Sequence, residues 1–253
     1  MKKIFTLIAL LLCTLAIFSA KAQDTSHMSG MKKWFAKPEG SGLIQVSYRQ
    51  AKLGQLNSVL NKNGIPNLPS NDIWLNLVAD HVHGNWLFED GLGFTPVSTS
   101  TGGNDIKAKY NQYQLYFRLA YNVSPSTDFR LYPFAGINLS LANLRIQDKG
   151  QIDNTSDFSQ ELLNSTASKN LWQPNFGIDL GAGFDYLIKV KSKQIDCVTI
   201  QRSIPIGFRV GYYINAANGD WRVDDHRLTD GPAEKQSNVF VSLNIGLGYK
   251  INK

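Results

Sequence analysis

Eight stretches of the chain alternate apolar residues with small or polar ones, position by position. The clearest is "YNQYQLYFRLAYNV", where Tyr113, Leu115, Phe117, Leu119, Tyr121 and Val123 oppose Gln112, Gln114, Tyr116, Arg118, Ala120 and Asn122. A period of two predicts a strand with one apolar face, because successive side chains of extended backbone point to opposite sides. The same beat runs through "LIQVSYR" from Leu43, "IWLNLVADHV" from Ile73, and the stretch Leu131 to Leu144. It returns in "NFGIDLGAGFDYLI" from Asn175, "IPIGFRVGYYI" from Ile204 and "VFVSLNIGLGY" from Val239. "WLFEDGLGF" from Trp86 is the irregular one, since Asp90 falls on the face of Trp86, Phe88, Leu92 and Phe94. A β-bulge near Asp90 is expected to restore its phase.

The connections alternate in length. Long polar stretches cover 51–71, 95–108, 145–170 and 216–236, while "HGN" and "SPSTD" are tight and "KVKSKQIDC" is intermediate. In an antiparallel barrel with an even strand count this puts both termini and the short turns at one end and the long loops at the other. The companion face decides what the apolar face meets. A water-washed surface would be rich in Lys and Glu; here that face is mostly Gly, Ser, Asn, Gln, Ala and Tyr. Small residues suit the narrow interior of an eight-stranded barrel, with lipid outside. Tyr48, Trp86, Tyr121, Tyr186 and Tyr249 sit at strand ends of the apolar face, as aromatic girdles do.

The first long connection differs from the others. Leu53, Leu56, Val59 and Leu60 recur at helical spacing, and Asn63-Gly64 followed by Pro66 is a stop signal. The expected fold class is therefore all-β: an eight-stranded antiparallel transmembrane β-barrel with a short amphipathic helix in the first external loop. "FSQELLNS" within 145–170 is a weaker helical signal.

The amino-terminal segment supplies the route to such a membrane. Lys2 and Lys3 precede an apolar run from Ile4 to Phe18, and Ala20 and Ala22 make a small-x-small cleavage signal. The run is too short to cross a bilayer comfortably. The expected organisation is a cleaved signal peptide at 1–22, a periplasmic leader at 23–41 and a barrel at 42–253. Cys13 lies inside the apolar run behind Leu10, Leu11 and Leu12, which argues against a lipoprotein. Cleavage removes Lys2, Lys3 and Lys21 and no acid, lowering the formal charge from +6 to +3, so no nucleic-acid partner is implied. Cys197 is then alone and no internal disulfide is expected.

Candidate chemistry is sparse. Arg49, Arg118 and Arg209 share the interior face with Asp80, Glu89, Asp179 and Asp185. Unpaired charges in so narrow a lumen would be prohibitively costly, so a paired or hydrated polar network is expected. His81 and His83 share a strand face, with Glu89 or Asp90 across the turn as a third ligand for a metal; interfacial histidines at the periplasmic rim are the plainer reading. His27 falls in the leader. Asp224, Asp225, His226 and Asp230 offer a cation- or ligand-binding loop, although their spacing matches no EF-hand. Serine-hydrolase elbows, phosphate-binding loops and paired Cys/His spacings do not occur, so neither a catalytic residue nor a cofactor is expected.

Several segments carry a resemblance to the eight-stranded outer-membrane β-barrel proteins of Gram-negative bacteria. They are "LGQLNSVLNKNGIPNLP", "RLYPFAGINLSLANLRI", "LGAGFDYLI" and "GFRVGYYINAANGDWRV". The "FED" of the third strand departs from the glycine-rich pattern. The resemblance implies a fold and a membrane and transfers no catalytic residue. The function class expected is a plugged, non-enzymatic barrel with a structural or surface-binding role. Its partners are outer-membrane lipids and an extracellular ligand met through 51–71, 95–108, 145–170 and 216–236. A narrow passive channel, a lipid-modifying enzyme and a soluble periplasmic carrier are the alternatives.

Overall fold

A computed structural model describes residues 38–102, 106–148, 168–195, 198–224, 226–233 and 235–252. The signal peptide, most of the leader, "FSQELLNS" and Cys197 lie outside the described residues. Each alternating stretch forms a strand. In chain order these are β1 (Glu39–Arg49), β2 (Ile73–His83), β3 (Trp86–Phe94), β5 (Ile106–Tyr121), β6 (Phe129–Asp148), β7 (Ser168–Ile195), β8 (Val198–Asn218) and β11 (Asn238–Asn252). Short strands β4 (Ser98–Thr101), β9 (Arg222–Val223) and β10 (His226–Arg227) and one helix, α1 (Gly54–Lys62), complete the set. The eight long strands pair in the order β7-β6-β5-β3-β2-β1-β11-β8, and β8 pairs back with β7, so the sheet closes into a ring. All of these pairings are antiparallel.

The ring turns its apolar face outward. Leu77, Leu243 and Leu247 are 66, 67 and 74% exposed, whereas Gln45, Asn76 and Arg209, on the other face, are 1, 2 and 0% exposed. A soluble protein with this distribution would be inside out. Satisfying every backbone group in a closed ring and presenting Leu, Ile, Val and Phe outward is the solution hydrocarbon demands. The chain is an eight-stranded outer-membrane β-barrel. Trp86 and Tyr121 meet edge to face at 5.0 Å at the periplasmic rim, and Tyr113 stacks on Trp172 at 6.4 Å on the external side.

The periplasmic end carries a two-residue turn, Gly84–Asn85, whose φ of 64° at Gly84 suits a hairpin turn. It also carries the link Asn122–Asp128 and both ends of the described chain. Where an intermediate link was expected, β7 and β8 continue as a paired ribbon to Ile195 and Val198, with a bulge between Val190 and Lys193. The external end is more regular than expected. Parts of 95–108, 145–170 and 216–236 are strand: β5, β6 and β7 stay paired as far as Ile106, Asp148 and Ser168, and β9 pairs with β7 beyond the end of β8. Their inward residues Ala108, Tyr110, Leu144 and Leu171 give these extensions a core to close on.

That core is completed by α1. Leu53, Leu56 and Leu60 pack with Leu68 and Trp221, while Val59 points away and is exposed. Asn57 fixes the returning chain by accepting from Leu68 N at 2.9 Å and donating to Leu68 O at 3.1 Å. The helix ends as its sequence predicts: Gly64 takes φ 72°, its N–H reaches Asn61 O at 3.0 Å, and Ile65 N–H reaches Leu60 O at 2.9 Å.

Candidate functional site

Glycines on one strand make room for rings from the next. A β-carbon on Gly91 would lie 2.3 Å from the Tyr116 ring, and one on Gly183 would lie 2.3 Å from the Tyr132 ring. Each glycine is the cross-strand neighbour of the tyrosine it admits. The rings thus fill the shaft, and the charged side chains between them are packed on all sides.

Two arginines hold the centre. Arg118 donates from Nε and Nη2 to Asp179 Oδ2 at 3.0 and 2.8 Å, and from Nη1 to Glu89 Oε1 at 2.8 Å. Arg209 Nη2 lies 2.7 Å from the other oxygen of Glu89 and 3.9 Å from Asp80, and its Nη1 lies 3.7 Å from Asp185. Glu89 therefore bridges the two guanidinium groups. Ser41 donates to Asp80 at 2.9 Å, while Tyr132 and Asn244 donate to Asp185 at 2.7 and 3.0 Å. Arg49 is buried apart from the acids, its guanidinium 4.3 Å from the Trp74 ring and 4.5 Å from the Tyr213 ring. Cation–π contact there takes the place of an ion pair.

Layers above and below seal the network. On the external side Gln114 donates to Asn76 at 2.6 Å, Asn138 to Gln114 at 3.1 Å and Tyr116 to Gln45 at 3.2 Å. A gap beside Arg49, Trp74 and Arg118 holds about 10 Å³, roughly the space of one water. Higher still stands the apolar cap around α1. On the periplasmic side Val82, Leu87, Ala120 and Tyr132 form an apolar floor. Below it opens a vestibule of about 790 Å³, where Glu39 binds both Arg130 and Lys250, the latter at 2.8 Å.

The third strand corrects an expectation. No bulge occurs near Asp90, and β3 pairs without interruption with β2 and β5 from Trp86 to Phe94. Asp90 therefore faces outward among Phe88 and Leu92, and its partner is His81, with Nε2 to Oδ1 at 3.6 Å. Burying the carboxylate would have required Glu89 to turn outward, and Glu89 is the bridge between the two arginines. A carboxylate on the lipid side is costly, less so than a basic group at the same depth. Asp90→Leu is thus expected to stabilise the barrel by about 1 kcal/mol, read as a higher urea midpoint in lipid vesicles; a lower midpoint would contradict this.

His83 packs edge-on to Phe88 at 5.9 Å. In the second candidate loop, Asp224, His226 and Asp230 are exposed, and Asp225 lies outside the described residues. Among the described residues no three His, Cys, Asp or Glu side chains gather as a metal site. Sequence reasoning set Tyr116 and Tyr213 on the interior face without giving them a role, and it missed the shaft residue Tyr132 and the cap residues Tyr110 and Trp221. The available signal for two of the tyrosines was a glycine at the cross-strand position, which depends on register.

No family model matches the chain, and no curated protein matches it. Among solved structures it is similar to Ail, the attachment invasion locus protein of Yersinia pestis, crystallised with the heparin analogue sucrose octasulfate. The identity is 13%, with 84% of this chain and 98% of that one covered and a TM-score of 0.37. Neisserial surface protein A is 12% identical over 85% of this chain and 97% of its own, with a TM-score of 0.35. A major outer membrane protein from Thermus thermophilus is 11% identical over 84% and 99%, with a TM-score of 0.38.

Proposed function

We propose that this chain is a non-enzymatic outer-membrane barrel whose shaft is closed and whose external cap is a folded structural or binding surface. The observation that carries the reading is the stacking of three seals along one axis: the apolar floor, the arginine–carboxylate core bridged by Glu89, and the cap core around Leu56, Leu60 and Trp221. A conducting pore needs a continuous aqueous path, and hydrated ions do not pass a gap the size of one water. Loops that only fenced a channel mouth would have no need of a helix locked to its neighbours. The lumen charges Arg49, Asp80, Glu89, Arg118, Asp179, Asp185 and Arg209 act here as a plug.

Purified protein in planar bilayers is expected to give no steady conductance steps, and liposomes carrying it are expected not to swell in small sugars. Reproducible steps that persist in the full-length protein would replace this reading with the narrow passive channel.

A further inference from the structure

The upper outer wall carries a cationic group of its own. Inward residues Ala108, Tyr110 and Leu144 belong to the cap core, so alternation sends Lys107 and Lys109 of β5 and Arg145 of β6 to the opposite, outer side. Lys109 and Arg145 are direct cross-strand partners. Like charges at that position repel and destabilise a sheet unless something negative lies between them. Arg222 of β9 pairs with Trp172, one step nearer the membrane. Asn143 and Asn170, joined by a side-chain hydrogen bond, add further polar groups beside them. None of the four cations is ion-paired with a described carboxylate, whereas Arg227, the cross-strand neighbour of Arg222, lies 3.6 Å from Asp220, and Lys189 and Lys250 are ion-paired at the other end of the barrel.

The height of the group identifies its counterion. Tyr113 and Trp172 mark the external girdle, and Lys109 lies four residues beyond Tyr113 on the same strand. At about 3.3 Å per residue along a strand tilted by roughly 40°, its Cα stands about 10 Å above the girdle, at the outer edge of the headgroup layer, into which a long lysine side chain reaches back. We propose that Lys107, Lys109, Arg145 and Arg222 form a site for phosphate groups borne by lipids of the outer leaflet. A phosphate between Lys109 and Arg145 cancels their repulsion and accepts charge-assisted hydrogen bonds from both. Acyl chains of the same lipid then lie along the apolar wall below, against Leu139 and Leu141. The site rests on the outer-membrane placement and is independent of whether the shaft conducts.

Native mass spectrometry of the detergent-purified barrel, offered bisphosphorylated lipid A or its dephosphorylated counterpart, tests the site. The phosphorylated lipid is expected to be retained at least tenfold better. The double variant Lys109→Gln/Arg145→Gln is expected to lose that preference, and a Lys189→Gln variant at the periplasmic end to keep it. Equal retention of the two lipids, or an unchanged preference in the double variant, would overturn the proposal. Displacement by inorganic phosphate at the concentration of the lipid would overturn it too, assigning the cluster to a free anion. Should the double variant fail to fold, the comparison of the two lipids on the unaltered protein still decides. A conducting barrel that keeps the preference would sink the closed-shaft reading and leave this site standing.

Discussion

Arg209→Ala is expected to cost the folded barrel about 3–5 kcal/mol, seen as a large fall in the urea midpoint during refolding into lipid vesicles. Arg209 is fully buried and lies within 4 Å of Glu89, Asp80 and Asp185. Removing it leaves those carboxylates in a shaft where rings and amides occupy the space that water would need. Desolvation, which the intact network offsets with close ion pairs and hydrogen bonds, then stands unopposed. Glu89→Gln is expected to hurt comparably, because one carboxylate serves both arginines. The two substitutions together should cost less than the sum of their separate effects, since both act on one network. An Arg209→Ala barrel as stable as the unaltered protein would mean that the charges are hydrated, and the seal they are held to make would be absent.

The second large effect is expected at the other end. Leu60→Ala removes a side chain that is 4% exposed at the centre of the cap core. Deletions of this kind cost about 2–5 kcal/mol. The cap rests on one short helix and strand extensions, and so has little stability to spare. Helices of this length are marginal unless packed, so α1 should loosen from Leu68 and Trp221 while the membrane-spanning belt stays intact. Limited proteolysis would then cut within 51–71, and the heat-dependent shift in electrophoretic mobility that marks a folded barrel would persist. Loss of that shift along with the cap would show that cap and barrel fold as one unit.

The strands were legible because their signal is local. Each carries its own period of two, and the composition of the second face was enough to orient Leu243 toward lipid and Asn244 toward the shaft. Which charges meet was legible only as a set, since pairing Glu89 with both Arg118 and Arg209 depends on the register among β3, β5 and β8. Asp90 shows the limit of a local rule. Phase alone suggested a bulge, but register holds Glu89 inward and thereby fixes its neighbour outward, where His81 from the adjacent strand meets it. Arg49 was expected to pair with an acid or to bind water, and its guanidinium lies against Trp74 of the adjoining β2 and Tyr213 of β8, a strand far along the chain. The cap was the least visible part. Leu53, Leu56 and Leu60 announced a helix, yet the surface that buries them comes from Tyr110, Ala142 and Leu144 at the outer ends of two expected strands and from Ala108 and Trp221, which fell in stretches read as loop.

The most direct measurement is a nitroxide scan of β11, one cysteine at a time from Val239 to Tyr249, on a Cys197→Ser background in liposomes. Oxygen accessibility is expected to peak at Val241, Leu243, Ile245 and Leu247 and to collapse, with strong immobilisation, at Ser242, Asn244 and Gly246. Accessibility to a water-soluble nickel reagent at Ser242 and Asn244, with Leu243 and Ile245 shielded from oxygen, would contradict the account.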